Sequence, residues 1–334
     1  MSDSNQIEHE QISTSLEVEH LDLNLFRSKS LWLPSLARGV FGGQVISQAL
    51  VSATNCVDSA FGLHSLHCYF LLSASPSTPI IYHIDRIRQG RSYATLSVKA
   101  VQNGRTVFIM MCSFQRPEPW QPSYQWPMPK VPSPEECEFE EARYTRLIES
   151  PGSSPALKKF YQGVLAERAR SPIAIKYAGE DHLSTVDTVA YMYWMQARNI
   201  PKYEAPFQKC ILSYISDMNF ISSASKIMGL KRFGKGPDSV SMTSTLDHSI
   251  YFYNDDFDCG DWLLHVIVTP RTGSGRGVVH GRVGVLFVSM RYGPKIDAVQ
   301  MHTRDGTLVA VTSQEGVVRA NVRGPEKPKV DAKL

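Results

Sequence analysis

A chain that sets out the same order of elements twice is constrained to fold as two like units, and this sequence does so. Phe41-Gly42-Gly43 gives a flexible turn, and Val45, Ile46, Ala49, Leu50 and Ala53 follow on one apolar face at helical spacing. Strand-like runs come next over 66–72, 80–87, 93–102 and 106–114, with Asn103-Gly104 as a hairpin turn between the last two. Further on, Tyr214 to Met218 opens a second helical pattern carried by Phe220, Ile221, Ala224, Ile227 and Met228. Strand-like runs follow over 239–253, 262–269 and 278–282, and Asp305-Gly306 turns into 307–313. A helix that is apolar on most faces needs a sheet wrapped around it. The expected fold is therefore α+β, with two repeats, each a curved antiparallel sheet around one long helix.

Short matches tie the repeats together. His64-Ser65-Leu66-His67 aligns with Thr245-Leu246-Asp247-His248, and Asn103-Gly104 with Asp305-Gly306. Phe41-Gly42-Gly43-Gln44 aligns with Ser216-Asp217-Met218-Asn219, which sets Gly42 opposite Asp217. The division that follows is a loose polar arm over 1–15, a first repeat over 16–116 and a second over 185–320. Residues 117–184 read as a solvated linker, because seven prolines fall between 117 and 134, and the acidic run over 135–141 reads as more linker and a helix start. Residues 321–334 form a Pro- and Lys-rich tail.

Thirty-five basic against 32 acidic residues give a formal net charge of +3, which argues against a nucleic-acid binder. No apolar run approaches the roughly 20 residues that cross a bilayer. The six cysteines are scattered without CxxC spacing, so a zinc or dithiol site is not expected, and free thiols in a reduced compartment are. The polar, acidic amino terminus has neither a secretory nor a transit pattern. The last residues, Ala332-Lys333-Leu334, resemble the Ser-Lys-Leu peroxisomal address, so an import receptor is an expected partner and the peroxisomal matrix the expected location.

The repeats differ in their polar residues. Asp217 stands at the predicted helix start, where the helix dipole and backbone N–H groups would keep it ionised. An aspartate there is also an ordinary N-cap. Thr245 in a strand fits β-propensity alone, and Gln314 at a strand end fits a surface residue. Together they stand out, because Gly42 aligns with the acid and His64 with the threonine. His248 and His67 are the alternative general bases, although histidines beside Tyr251-Phe252 and Tyr69-Phe70 are as well explained by packing. No GxSxG elbow, HExxH or P-loop is present.

Phe41-Gly42-Gly43-Gln44, His64 to Phe70, Ser216-Asp217-Met218-Asn219-Phe220, Leu246-Asp247-His248-Ser249 and Ser313-Gln314-Glu315-Gly316 resemble the acyl-CoA thioesterase II family, the bacterial and peroxisomal double-hotdog type. The resemblance covers about residues 20–320. It implies a catalytic trio at Asp217, Thr245 and Gln314 that holds one water for direct attack on a fatty acyl-CoA thioester, with no covalent intermediate, metal or cofactor. Backbone N–H groups at the start of the buried helix would steady the oxyanion. Substrate contacts are implied for Gly42, Gly43 and His64. Arg271, Arg276, Lys231 and Arg232 are candidates for coenzyme A phosphates, although ordinary solvated surface charge accounts for each more readily. The rivals are a hydratase or dehydratase on the same fold, and a catalytically silent acyl-CoA-binding protein. Exposed sheet edges also suit a homo-oligomer.

One segment departs from the family pattern. Residues 283–300, VGVLFVSMRYGPKIDAVQ, add eighteen residues inside a predicted strand, where insertions are unusual. Valine codons begin GT and one glutamine codon is CAG, so a retained, in-frame intron is one reading and a bulging hairpin the other.

Overall fold

A computed structural model describes residues 9–322 apart from 36, 126, 184–187, 233–235 and 281–298. The N-terminal half runs α1 (Ile12–Leu16), β1 (Val18–Asp22), β2 (Leu25–Ser28), α2 (Gly42–Thr54), β3 (Gly62–Phe70), β4 (Ile81–Gln89), β5 (Tyr93–Gln102) and β6 (Arg105–Gln115). Asn103 and Gly104 have φ of 51° and 71°, the left-handed pair that a two-residue hairpin turn requires. Two helices follow, α3 (Glu140–Glu149) and α4 (Pro155–Arg170). The C-terminal half runs β7 (Ile173–Leu183), β8 (Thr188–Ala197), α5 (Ala205–Ser216), α6 (Ser222–Ile227), β9 (Val240–Phe252), β10 (Leu263–Gly273), β11 (Arg276–His280), β12 (Val299–His302) and β13 (Leu308–Ala320).

All the strands join one antiparallel sheet in the order β1-β2-β4-β5-β6-β3-β9-β13-β11-β10-β8-β7. The halves meet where β3 pairs β9, from Ser65 opposite Tyr251 to Tyr69 opposite Asp247. Outward from that seam the order of one half mirrors the other. β12 occupies the same lane as β11: His280 faces Ser313, and Val299 faces the next residue, Thr312. The lane keeps register as if residues 281–298 were absent. The surplus of eighteen predicted at 283–300 is thus placed two residues earlier, because Val299 and Gln300 belong to the strand; 283–298 lie outside the described residues.

α2 and α5 lie against each other inside the sheet, and both are buried on nearly every face. Ser47 Oγ donates to the Cys210 carbonyl at 2.8 Å. A Cβ on Gly43 would stand 2.7 Å from the Tyr214 carbonyl, so glycine is what lets the helices approach. Ile46, Ala49, Leu50, Ile211, Leu212 and Ile215 are fully buried in a core common to both halves.

Several expectations change. The long helix of the second half precedes Asp217 instead of following it, and only the six-residue α6 falls in the predicted run. Pro206 sits in the first turn of α5, where its missing N–H costs nothing. The arm is not loose over its last turn, since Ile12 and Leu16 are fully buried and the Gln44 and Gln48 amides donate to Ser15 O at 2.9 Å. The span 117–184 is not simply a solvated linker. It contains α3, α4 and β7, and its Met128, Val131 and Cys137 pack on the outer face of β8 and β10, where Trp194 Nε1 donates to Pro132 O at 2.9 Å. Proline has no N–H to offer a strand, but its carbonyl still accepts. In the acidic run, Glu141 pairs with Arg198 at 2.7 Å and the buried Glu140 with Arg168 at 3.4 Å.

Candidate active site

The repeat alignment is off by one residue, and the slip decides which side chains face inward. β9 carries Leu246 as an extra residue between Asp247, opposite Glu315, and Thr245, opposite Gly316. β3 carries His64 in the same way, between Ser65, opposite Ser113, and Leu63, opposite Phe114. Thr245 therefore corresponds to Leu63, and His248 to Leu66, both of them core positions. His67 instead points outward and meets Ser249 Oγ at 3.0 Å. Side chains alternate along a strand, so Thr245 and His248, three residues apart, would face opposite ways without the bulge. The bulge turns Thr245 to the inner face.

There Gln314 of β13 joins the other two polar residues. Its Nε2 donates to Asp217 Oδ1 at 2.6 Å and to Thr245 Oγ1 at 3.0 Å. Both amide protons are thereby used, which leaves the Thr245 hydroxyl proton to donate elsewhere. Gln314 is fully buried, and its Oε1 has no hydrogen-bond partner among the described residues.

Asp217 is the C-cap of α5, not the start of a helix. The N-terminus it meets belongs to α2, in the other half: the Gly43 backbone N–H hydrogen-bonds its carboxylate. Gly42 is not its structural counterpart but its neighbour, since a Cβ there would stand 2.8 Å from Asp217 Oδ2. Desolvation pushes the Asp217 pKa from 3.8 up to about 7, and the Gln314 and Gly43 donors pull it back only in part. The expectation of a firmly ionised carboxylate is corrected accordingly. A carboxyl that titrates near neutrality is suited to take a proton and give it back.

His248 is fully buried, and burial pushes its pKa down to about 3, which disfavours it as a general base. His64 is half-buried and shares a hydrogen bond with Ser113 Oγ at 2.8 Å, at the bulge of the half that has no acid. Arg276 pairs with Glu315 at 3.2 Å on the outer face, Arg271 and Lys231 are exposed, and Arg232 stacks over Phe160 at 5.9 Å. The structure thus gathers Asp217, Thr245, Gln314, Gly42 and Gly43, and sets His64 apart. Sequence reasoning missed Gly316: a Cβ there would meet Ile221 Cδ1 at 2.5 Å, so glycine admits the segment that carries Asp217. The signal available was a glycine inside a strand pattern.

Two family models match the chain, the acyl-CoA thioesterase N-terminal domain over residues 29–115 and the C-terminal domain over 139–284. Acyl-coenzyme A thioesterase 8 of Rattus norvegicus is 34% identical over 319 residues, covering 94% of this chain and 91% of the rat protein. The peroxisomal acyl-coenzyme A thioester hydrolase 1 of Saccharomyces cerevisiae is 24% identical over 330 residues, covering 85% and 87%. Among solved structures, the acyl-CoA thioesterase II TesB2 of Mycobacterium marinum superposes with a TM-score of 0.68 at 26% identity, covering 94% of this chain and 99% of that one. A hot dog fold protein from Alicyclobacillus acidocaldarius gives 0.63 at 17%, covering 93% and 98%, a likeness of fold alone. The chain belongs to the acyl-CoA thioesterase II family.

Proposed function

We propose that this chain hydrolyses fatty acyl-CoA to free fatty acid and coenzyme A by direct attack of one water held by Asp217, Thr245 and Gln314. The observation that carries the reading is the Gln314 amide, which bridges the Asp217 carboxylate and the Thr245 hydroxyl at 2.6 and 3.0 Å beside the first turn of α2. The Asp217 carboxylate takes a proton as the water oxygen bonds to the thioester carbonyl carbon. The resulting oxyanion is steadied by N–H groups at the start of α2, which have no intrahelical partners. Collapse breaks the C–S bond, and the departing thiolate recovers the proton from Asp217. No step calls for a metal or a cofactor.

Thiol release from a panel of acyl-CoAs tests this reading. Turnover by the native chain and a kcat lower by roughly 10²–10⁴ in folded Asp217→Asn are expected; a variant that keeps near-native turnover would reject the trio.

The mirrored strand order about the β3–β9 seam, with α2 and α5 inside, supports a double hotdog. The unbroken lane of β11 and β12 supports reading 281–298 as surplus, and the C-terminal family model stops at 284. The peroxisomal matrix is the proposed location, on the Ala332-Lys333-Leu334 ending, which lies outside the described residues, and on the name of the yeast relative.

A further inference from the structure

His248 stands beside both limbs of the trio without belonging to it. It stands opposite Gln314 across the β9–β13 pair. Its Nε2 lies 3.0 Å from Ser216 Oγ, the hydroxyl of the residue before Asp217. The single proton of that hydroxyl goes to the Ser213 carbonyl at 2.9 Å. With the hydroxyl proton on that carbonyl, the imidazole donates to Ser216 Oγ as the Nε2–H tautomer. Its Nδ1 has no hydrogen-bond partner among the described residues.

The chain beyond Ser216 is also held by packing, with Met218 and Phe220 buried in the core and Ile221 set against Gly316. α5 ends at Ser216, and the chain then reverses through Asn219 at φ 58°. Phe220 lies between two buried, neutral imidazoles, 5.4 Å from His248 and 5.7 Å from His265. The fold itself does not ask for a histidine here. The corresponding inward position of the first half is Leu66, fully buried, in the half that has no acid.

We propose that His248 is a positioning residue for thioester hydrolysis: its Nε2–H fixes Ser216 and, through it, the last turn of α5 that aims Asp217 at Gln314 and the water. The proposal rests on the trio being the hydrolytic centre. The imidazole makes no contact with substrate in this role and does not change charge.

Four variants and one double test it, with thiol release from a saturating acyl-CoA as the readout. His248→Leu installs the residue used at Leu66, and Ser216→Ala removes the acceptor. Each is expected to lower kcat at least tenfold with KM within twofold of wild type, and the double variant is expected to be no worse than either single. His248→Gln, which keeps an N–H near Nε2, is expected to recover most of the loss. The acid limb of the kcat–pH profile, set by Asp217, is expected to move by half a unit or more in His248→Leu and to return in His248→Gln. A kcat within twofold of wild type in folded His248→Leu or Ser216→Ala, or losses that multiply in the double, overturns the proposal. Should His248→Leu not fold, Ser216→Ala decides alone. Asp217→Asn separates the two readings: near-native activity there overturns the trio, whereas a severely impaired Asp217→Asn beside a fully active Ser216→Ala overturns only the role of His248.

Discussion

Replacing Asp217 by Asn should cut turnover sharply and at the same time make the protein less sensitive to alkali. The carboxyl titrates at about 7 in the folded chain against 3.8 for an unperturbed group. Between those values the folded state holds a proton that the unfolded state has released, so wild-type stability falls as pH rises. The loss begins as pH passes the unfolded value and is complete once pH exceeds the folded one. From pH 5 to pH 8 it amounts to about 2.5 kcal/mol at 1.36 kcal/mol per pKa unit. Asn carries no titrating proton and should keep that stability. The assay is urea unfolding of both proteins at pH 5, 6, 7 and 8, with thiol release measured alongside. The amide of the variant cannot take the water proton, and kcat should fall about a thousandfold, inside the range of roughly 10²–10⁴ typical of one lost acid–base group. A stability difference between the two proteins that does not change from pH 5 to pH 8 would refute the account of a desolvated carboxyl poised near neutrality.

Gly42→Ala places a methyl 2.8 Å from Asp217 Oδ2 and 2.9 Å from the Phe70 ring; it should cost about 1–3 kcal/mol in a denaturant melt and lower kcat at least tenfold. Thr245→Val leaves one Gln314 proton without an acceptor, which should cost about 1–3 kcal/mol along with most activity, whereas Thr245→Ser should retain both; equal loss in the two would point to the methyl instead. Deletion of 281–298 should give a folded, active protein, because His280 and Val299 already face consecutive residues of β13; an insoluble product, or native peptides from that span, would count against the surplus reading. Removing Leu334 should leave thiol release unchanged and shift a fluorescent fusion from peroxisomes to the cytosol.

The linear order of residues was enough for much of the architecture. Period-two runs and the Asn103-Gly104 turn located β4, β5 and β6 to within a residue or two, since a hairpin's pattern and its turn chemistry are both local. Resemblance of short motifs singled out Asp217, Thr245 and Gln314, and the excess inside one strand was countable before its lane was known. Other features depended on parts of the chain far apart in sequence. α5 is buried on nearly every face and carries Gln208, Lys209, Ser213 and Ser216 among its buried residues, so no clean apolar stripe marks its ends, and its place before Asp217 follows from packing against α2. The extra Leu246 flips every inward and outward assignment on its far side, and nothing local distinguishes a bulged strand from a regular one. The partner of Asp217 is the N-terminus of a helix about 170 residues earlier. Its pKa near 7 reflects water excluded by both halves together, a property that no single segment of the chain carries.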